Sequence, residues 1–371
     1  MGPLARYFLG LGATGFGGPI ALVGYMQRDL VERRRWFSQQ EYVEGLAFSQ
    51  LAPGPLAAQL AIYLGWSRGG TWGATVAGLA FVLPSFVMVL ILSELYQRYE
   101  GLAWLQRAFY GIGAAVIAIV ARSAVKLCRL SLKQDRLLWL IFAVNAAVVV
   151  ATRSEILTVF FASGVAVLVL RRGLRSVPAA SCLGLPLPFA TNAVSPAGGS
   201  LLWQILLFFA QAGAVVFGSG LAIVPFLYGG AVEGHGWLTE RQFLDAVAVS
   251  MITPGPVVIT VAFIGYLVAG LSGATVAAVG VFLPVYLVVV IAAPVFSRYA
   301  KNPRVIGFVE GVTAAATGAI AGAVIILAQR AITDLTTGLI ALATLGLTFQ
   351  FRKVPDPAVI AAAGAAGLLL G

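Results

Sequence analysis

Charge is what this sequence has least of. Only 10% of its 371 residues are Asp, Glu, Lys or Arg, against about a quarter in a soluble domain. Histidine occurs once, as His235 in a polar loop, and cysteine twice, as Cys128 and Cys182, without metal-like spacing. No zinc or iron site, no disulfide framework and no cofactor is therefore expected. The N-terminus lacks a basic stretch followed by a short apolar core and a cleavage site, so no removable signal peptide is expected. What fills the chain is apolar, with 60% hydrophobic residues and a mean hydropathy of +0.95. No soluble core hides that much apolar surface. The expected solvent is a bilayer, and the expected fold class is an all-α polytopic membrane protein. A net charge of +10 reads here as Lys and Arg gathered in cytoplasmic loops, and nucleic acid is not an expected partner.

One offset organises the chain. Phe16-Gly17-Gly18-Pro19 aligns with Phe217-Gly218-Ser219-Gly220, and at the same 201-residue spacing Pro53-Gly54-Pro55 aligns with Pro254-Gly255-Pro256. Trp36 matches Trp237 and Glu44 matches Asp245; after a one-residue gap "GATVAG" matches "GATVAA" and Pro84 matches Pro284. This is a tandem duplication: a first repeat over 1–170, a cytoplasmic linker over 171–199 and a second repeat over 200–371. Each copy predicts a broken helix, a pair of short helices around the proline triplet and four longer apolar segments. The short helices return to their starting side, so each repeat crosses the membrane an odd number of times and the second copy is inverted. Lys and Arg agree, with seventeen on one face against five on the other, as positive-inside retention requires. "QRDLVERRRW" carries four arginines and its partner "YGGAVEGHGW" none. Both termini are expected outside the cytoplasm.

The first short helix of each copy opens on a capping box, Ser38 with Glu41 and Thr239 with Gln242. About 14 residues at ~1.5 Å each carry it ~20 Å, to the middle of the bilayer. There the Pro-Gly-Pro triplet ends one helix and starts the next, with Gly54 or Gly255 as cap and Pro55 or Pro256 at the first helical position. A helix N-terminus aimed at the membrane centre binds anions through free N–H groups and a partial charge of roughly +0.5. Inversion brings both tips to one depth, facing each other, in the general plan of inverted-repeat transporters. "GFGGPIA" and "VFGSGLA" predict a further break in each copy. The candidate substrate-binding set is Phe16, Gly17, Gly18, Pro19, Pro53, Gly54, Pro55, Gln59, Gly218, Ser219, Gly220, Pro254, Gly255, Pro256 and Thr260. Close packing and kinks are the competing explanation for these Gly and Pro residues.

Charges inside the membrane point to function, since each costs roughly 2.5–3.5 kcal/mol on insertion scales. Glu310 lies two turns inside its helix and is a candidate proton carrier. Glu44 and Asp245 are acidic in both copies and either carry protons or face interfacial water. Arg107, in the first turn of its segment, either snorkels outward or meets an anion. Arg122, Lys126, Arg129 and Lys133 read as a solvated cytoplasmic end.

The motifs "FGGP", "ERRRW", "LAPGPLAAQLAIYLGW" and "TPGPVVITVAFIGYL" together resemble the chromate ion transporter family in its long-chain, two-repeat form, over roughly 8–130 and 205–330. The resemblance implies an inner-membrane transporter that exports chromate, a sulfate-like dianion, driven by the proton gradient. It places the family's functional motifs on Phe16 to Pro19, Pro53 to Pro55 and Pro254 to Pro256. Two positions depart from the family pattern: Leu56 stands where a Glu is frequent, and Met251 where a Gln is. Sulfate or another oxyanion on the same scaffold therefore stays open. An intramembrane enzyme acting on a phosphorylated lipid is disfavoured, because no His, Cys or paired carboxylates flank both triplets; a channel fits a duplicated, inverted scaffold less well than alternating access. Expected partners are chromate or a related oxyanion, protons and membrane lipid, with a homodimer left open.

Overall fold

The computed structural model describes residues 1–16, 18–99, 102–132, 134–152, 157–172, 200–215, 217–218, 220, 223–299, 302–350 and 354–370. The first half forms α1 (Gly2–Thr14), α2 (Gly18–Met26), α3 (Gln39–Leu51), α4 (Leu56–Tyr99), α5 (Ala103–Ser131), α6 (Arg136–Thr152) and α7 (Leu157–Arg172). The second forms α8 (Leu201–Val215), α9 (Ile223–Tyr228), α10 (Glu240–Ile252), α11 (Thr260–Tyr299), α12 (Pro303–Ala331), α13 (Leu335–Gln350) and α14 (Asp356–Leu370). The expected segments are all present. Of the linker, residues 173–199 lie outside the described ones.

Both capping boxes are in place. Ser38 Oγ accepts from the Glu41 N–H while the Ser38 N–H donates to Glu41, and Thr239 and Gln242 do the same. Each box satisfies two of the N–H groups a helix start leaves over. At 13 residues, α3 and α10 each rise ~20 Å, short of a hydrocarbon core of ~30 Å.

The long helices α4 and α11 are hairpins in disguise. Gly69 and Gly70 break α4, and Ala269 and Gly270 break α11 at the matching place, with Gly70 at φ 57°, ψ −146° and Gly270 at φ 60°, ψ −150°. Only glycine holds that backbone region without strain. The chain reverses there: a side chain added to Gly65 would sit 2.3 Å from the Gly73 carbonyl oxygen, and one added to Gly265 2.4 Å from that of Gly273. The segment before each reversal runs back from the tip, and the segment after it is long and apolar enough to cross.

Membrane character is written on the surface. Leu79, Leu83, Val87, Ile91 and Leu95 stand exposed along one face of α4, and Val279, Leu283, Leu287, Ile291 and Val295 along the matching face of α11. A four-residue spacing keeps each set in one stripe, and in water such stripes would be a severe liability. Among the described residues four helices are long and apolar enough to span a bilayer.

The two halves interlock. Helix α5 packs against α13 and α14 of the second half, while α12 packs against α6 and α7 of the first; α4 and α11 cross between them. Phe48 meets Phe296 edge-on, with ring centroids 5.0 Å apart, and Tyr96 meets Phe263 at 5.3 Å. Each half supplies part of the other's core.

Candidate functional site

The helix breaks and the triplet tips meet crosswise. Gly54 and Pro55 form a two-residue strand, β1 (Gly54–Pro55), paired in parallel with β2 (Phe217–Gly218). On the other side, the Gly255 N–H donates to the Gly15 carbonyl at 2.9 Å. Each triplet therefore engages the break of the opposite half, which corrects the expectation of two tips facing each other. The cause is local. A broken helix and an extended tip both carry unpaired backbone groups, and away from water these pair with one another.

This pairing changes the supply of donors. The Gly255 N–H is spent on Gly15, and α11 is preceded by a 3-10 turn, Val257–Ile259, in which the Ile259 N–H bonds the Pro256 carbonyl. The prolines stand one residue outside their helices, Pro256 as the cap of that turn and Pro55 in β1, rather than at the first helical position. In the first turn of α4, which begins at Leu56, the Leu56 N–H serves the β1–β2 ladder because Pro55 has none to give. The N–H groups of Ala57 and Ala58 are the leading ones left without an internal partner.

The site is packed tightly. Gly54, Pro55, Pro254, Gly255 and Pro256 are buried. Gly255 has φ +96°, and a Cβ there would lie 1.9 Å from Ser85 Oγ, which itself donates to the Gly12 carbonyl at 3.2 Å. Gln59 is fully buried, and its Nε2 donates to the Pro53 carbonyl, bracing the first tip. The matching Thr260 donates to Val257 at 2.7 Å. Gly220 is buried and closely faces Val258 beside the second tip. Phe16 is half-buried, and Gly18, at φ +74°, opens α2 with Pro19 behind it. Gly17 and Ser219 lie outside the described residues.

The acidic candidates separate. Asp245 is 3% exposed in α10 and accepts a hydrogen bond from the Tyr96 hydroxyl at 2.6 Å. Its counterpart Glu44 is exposed and bonds Gln40 within its own helix. The residue that matches Tyr96 in the second half is Phe296, which has no hydroxyl to offer. Sequence reasoning missed Tyr96, although this polar-for-apolar difference between matched positions was visible. Glu310 is ion-paired to Arg171, which also holds Asp135, so it sits in a partly exposed cluster and not alone in the membrane. The Arg171 guanidinium beside Asp135 holds that carboxyl below the ordinary aspartate range. Arg107 is exposed at the start of α5, away from both tips.

A cavity of about 480 Å³ opens at the end of the molecule where α10 begins. It is lined by Tyr110, Thr239, Glu240, Arg241, Asp245, Arg330 and Thr333, among others. Arg330 pairs with Glu240 at 2.8 Å, and Arg241 donates to the Gln106 carbonyl at 3.0 Å. A smaller cavity of about 70 Å³ touches both Tyr96 and Asp245. The buried carboxylate thus borders both cavities, whose lining mixes these polar groups with Phe109, Leu244 and Ala331.

Comparison with known proteins supplies the frame. No solved structure matches the chain. A curated chromate transport protein of Cupriavidus metallidurans is 57% identical over 369 residues, covering 99% of this chain and 92% of that protein. A probable chromate transport protein of Synechococcus elongatus is 55% identical, covering 99% and 94%, and a chromate transport protein of Pseudomonas aeruginosa is 36% identical, covering 98% and 91%. The family model described as chromate transporter matches twice, over residues 3–168 and 203–368, in step with the duplication. These relatives are transporters rather than enzymes, and the chain belongs to the chromate transporter family.

Proposed function

We propose that the protein exports chromate across the plasma membrane by alternating access, in exchange for protons, with the crossed tips and breaks as the substrate site. The observation that carries the reading is that each backbone interruption pairs with one of the opposite half, two of them as β1–β2 and two through Gly255 and Gly15. Helices broken at depth need protein, water or a ligand to take up the freed groups. The crosswise pairing takes up part of them, and the Ala57 and Ala58 N–H groups at the start of α4 are left for a ligand. Chromate as the cargo is supported by three relatives that carry that name. Export is the direction that the family resemblance supports.

Asp245 is the group best suited to move the proton. It is buried, it borders a cavity that opens at the end of the molecule, and Tyr96 offers it a hydrogen bond from the opposite repeat. Glu310 and Glu44 suit the role less well, the first because Arg171 neutralises it and the second because it is open to solvent. The inverted arrangement, with both termini outside, is supported by polar pairs between the halves. Tyr110 with Asp334 and Tyr266 with Glu94 join residues that the inverted reading puts outside, and Arg122 with Asp356 joins residues that it puts inside.

Reconstituted vesicles test the reading. Chromate flux is expected to respond to an imposed pH gradient, and Asp245→Asn to abolish the gradient-driven part. Flux that ignores the gradient removes proton coupling, and vesicles that move sulfate but no chromate transfer the site to the second reading, which the departures at Leu56 and Met251 keep alive.

A further inference from the structure

Gln59 stands four residues beyond Pro55 in the first turn of α4, with 0% of its surface exposed. Its Nε2 donates to the Pro53 carbonyl, and its amide lies against Gly54. The side chain is therefore folded back over the N-terminal end of its own helix. That bond settles which way the amide points, since a flipped amide would set two carbonyl oxygens against each other. The remaining atom, Oε1, is buried and accepts a hydrogen bond from no described group. Unpaired buried acceptors are rare and need a reason. At the matching position Thr260 uses its hydroxyl proton on Val257, so the second tip has no such orphan.

The first tip thus combines two demands. The Ala57 and Ala58 N–H groups at the start of α4 attract negative charge. The Oε1 lone pairs repel it and call for a hydrogen-bond donor. A tetrahedral oxyanion that still carries one proton meets both, because its ionised oxygens accept from the helix end while its O–H donates to Oε1. We infer that the site takes its substrate as the singly protonated anion, and that the buried Gln59 amide over the N-terminus of α4 reads that proton. The inference rests on the tips being the substrate site. It adds a basis for selectivity that neither shape nor size supplies: chromate takes up a proton near neutral pH, whereas sulfate does so only in strong acid.

Few protein groups compete for the same pH response. Residues 10–14 of α1, 47–51 of α3, 210–215 of α8 and 257–264 beside the second tip include no titratable side chain. Those on the neighbouring elements lie farther along: Arg6 and Tyr7 on α1, Tyr25 on α2, Glu41, Tyr42 and Glu44 on α3, Tyr63, Arg68, Glu94, Tyr96, Arg98 and Tyr99 on α4, Glu240, Arg241 and Asp245 on α10, Tyr266, Tyr286, Arg298 and Tyr299 on α11, and Arg304, Glu310 and Arg330 on α12.

Calorimetric titration of the full-length protein in lipid nanodiscs tests the inference, with chromate and sulfate each measured from mildly acidic to mildly alkaline pH. Chromate affinity is expected to fall about tenfold per pH unit once the free anion is mostly doubly charged, the slope of one bound proton. Sulfate is expected to bind about tenfold or more weakly than chromate in mild acid. Sulfate stays doubly charged throughout, so its own pH response isolates the protein's titrating groups. Gln59→Leu is expected to erase most of the chromate–sulfate difference. Because that variant also loses the brace to Pro53, the wild-type difference between the two anions decides the matter if it fails to fold. A chromate affinity that is flat or rises with pH relative to sulfate overturns the inference and leaves the site reading standing. If neither anion binds at any pH, or binding survives Gly54→Val untouched, the site reading falls and takes the inference with it.

Discussion

At the scale of single residues, the site is defined by atoms with no room to spare. Gly255 combines a positive φ with a Cβ position 1.9 Å from Ser85 Oγ. Gly255→Ala is expected to destabilise the protein by about 1–3 kcal/mol through backbone strain and to stop transport. Ser85→Gly in the same chain should recover part of the stability, as measured by thermal unfolding in detergent; no recovery would mean that Ser85 is not the obstacle. The cluster of Asp135, Arg171 and Glu310 makes a different prediction. Asp135 is depressed chiefly by its hydrogen bond to Arg171, so its contribution is complete above the ordinary aspartate range and is lost as pH falls through the lowered value. With side chains a third or more exposed, the pair is worth at most on the order of 1 kcal/mol. Acidification should therefore lower the melting temperature slightly more in the wild type than in Asp135→Asn, and equal slopes would show that the pair contributes nothing.

At the scale of elements, the reversals inside α4 and α11 carry the design. Nothing lies within 4 Å of a Cβ placed on Gly70 or Gly270, so Gly70→Ala and Gly270→Ala should each cost about 1–3 kcal/mol from backbone strain alone. The two reversals share no neighbours, and their effects should add in a double variant; a large departure from additivity in denaturant titrations would reveal a connection between them. Much at this level was readable in advance. Capping boxes, segment lengths and the triplets depend on residues close together in the chain, and the duplication offered each motif twice. The crosswise pairing of tip with break was not readable, because it depends on two extended backbone stretches finding each other across more than half the chain, and backbone hydrogen bonds leave no side-chain signature. The surroundings of Glu310 were hidden for a related reason. Its partner Arg171 sits at the far end of another helix, and no local pattern in "GFVEGVTAAATG" announces a cation there.

At the scale of the whole molecule, the inverted arrangement makes the most exposed claim. Single cysteines at Thr333 and Asp135, introduced after Cys128 and Cys182 are replaced, should react with a membrane-impermeant reagent from opposite sides, Thr333 from outside the cell. Labelling of both from one side would defeat the inverted reading. The packing also restricts the motion that the proposed alternating access would require. With α5 held by α13 and α14, and α12 by α6 and α7, the repeats cannot rock as two rigid blocks. Under that proposal the moving bodies would each draw helices from both repeats.

The same exchange of helices governs how the protein is made. When the first half has entered the membrane, α5 is already inserted, yet α13 and α14, the neighbours it packs against, are still being translated. Lipid or an insertion factor has to shelter that helix until the last segment arrives. A stop codon late in the gene, removing only α14, would for this reason strip a packing partner from a helix completed more than two hundred residues earlier, and quality control should act on the shortened chain.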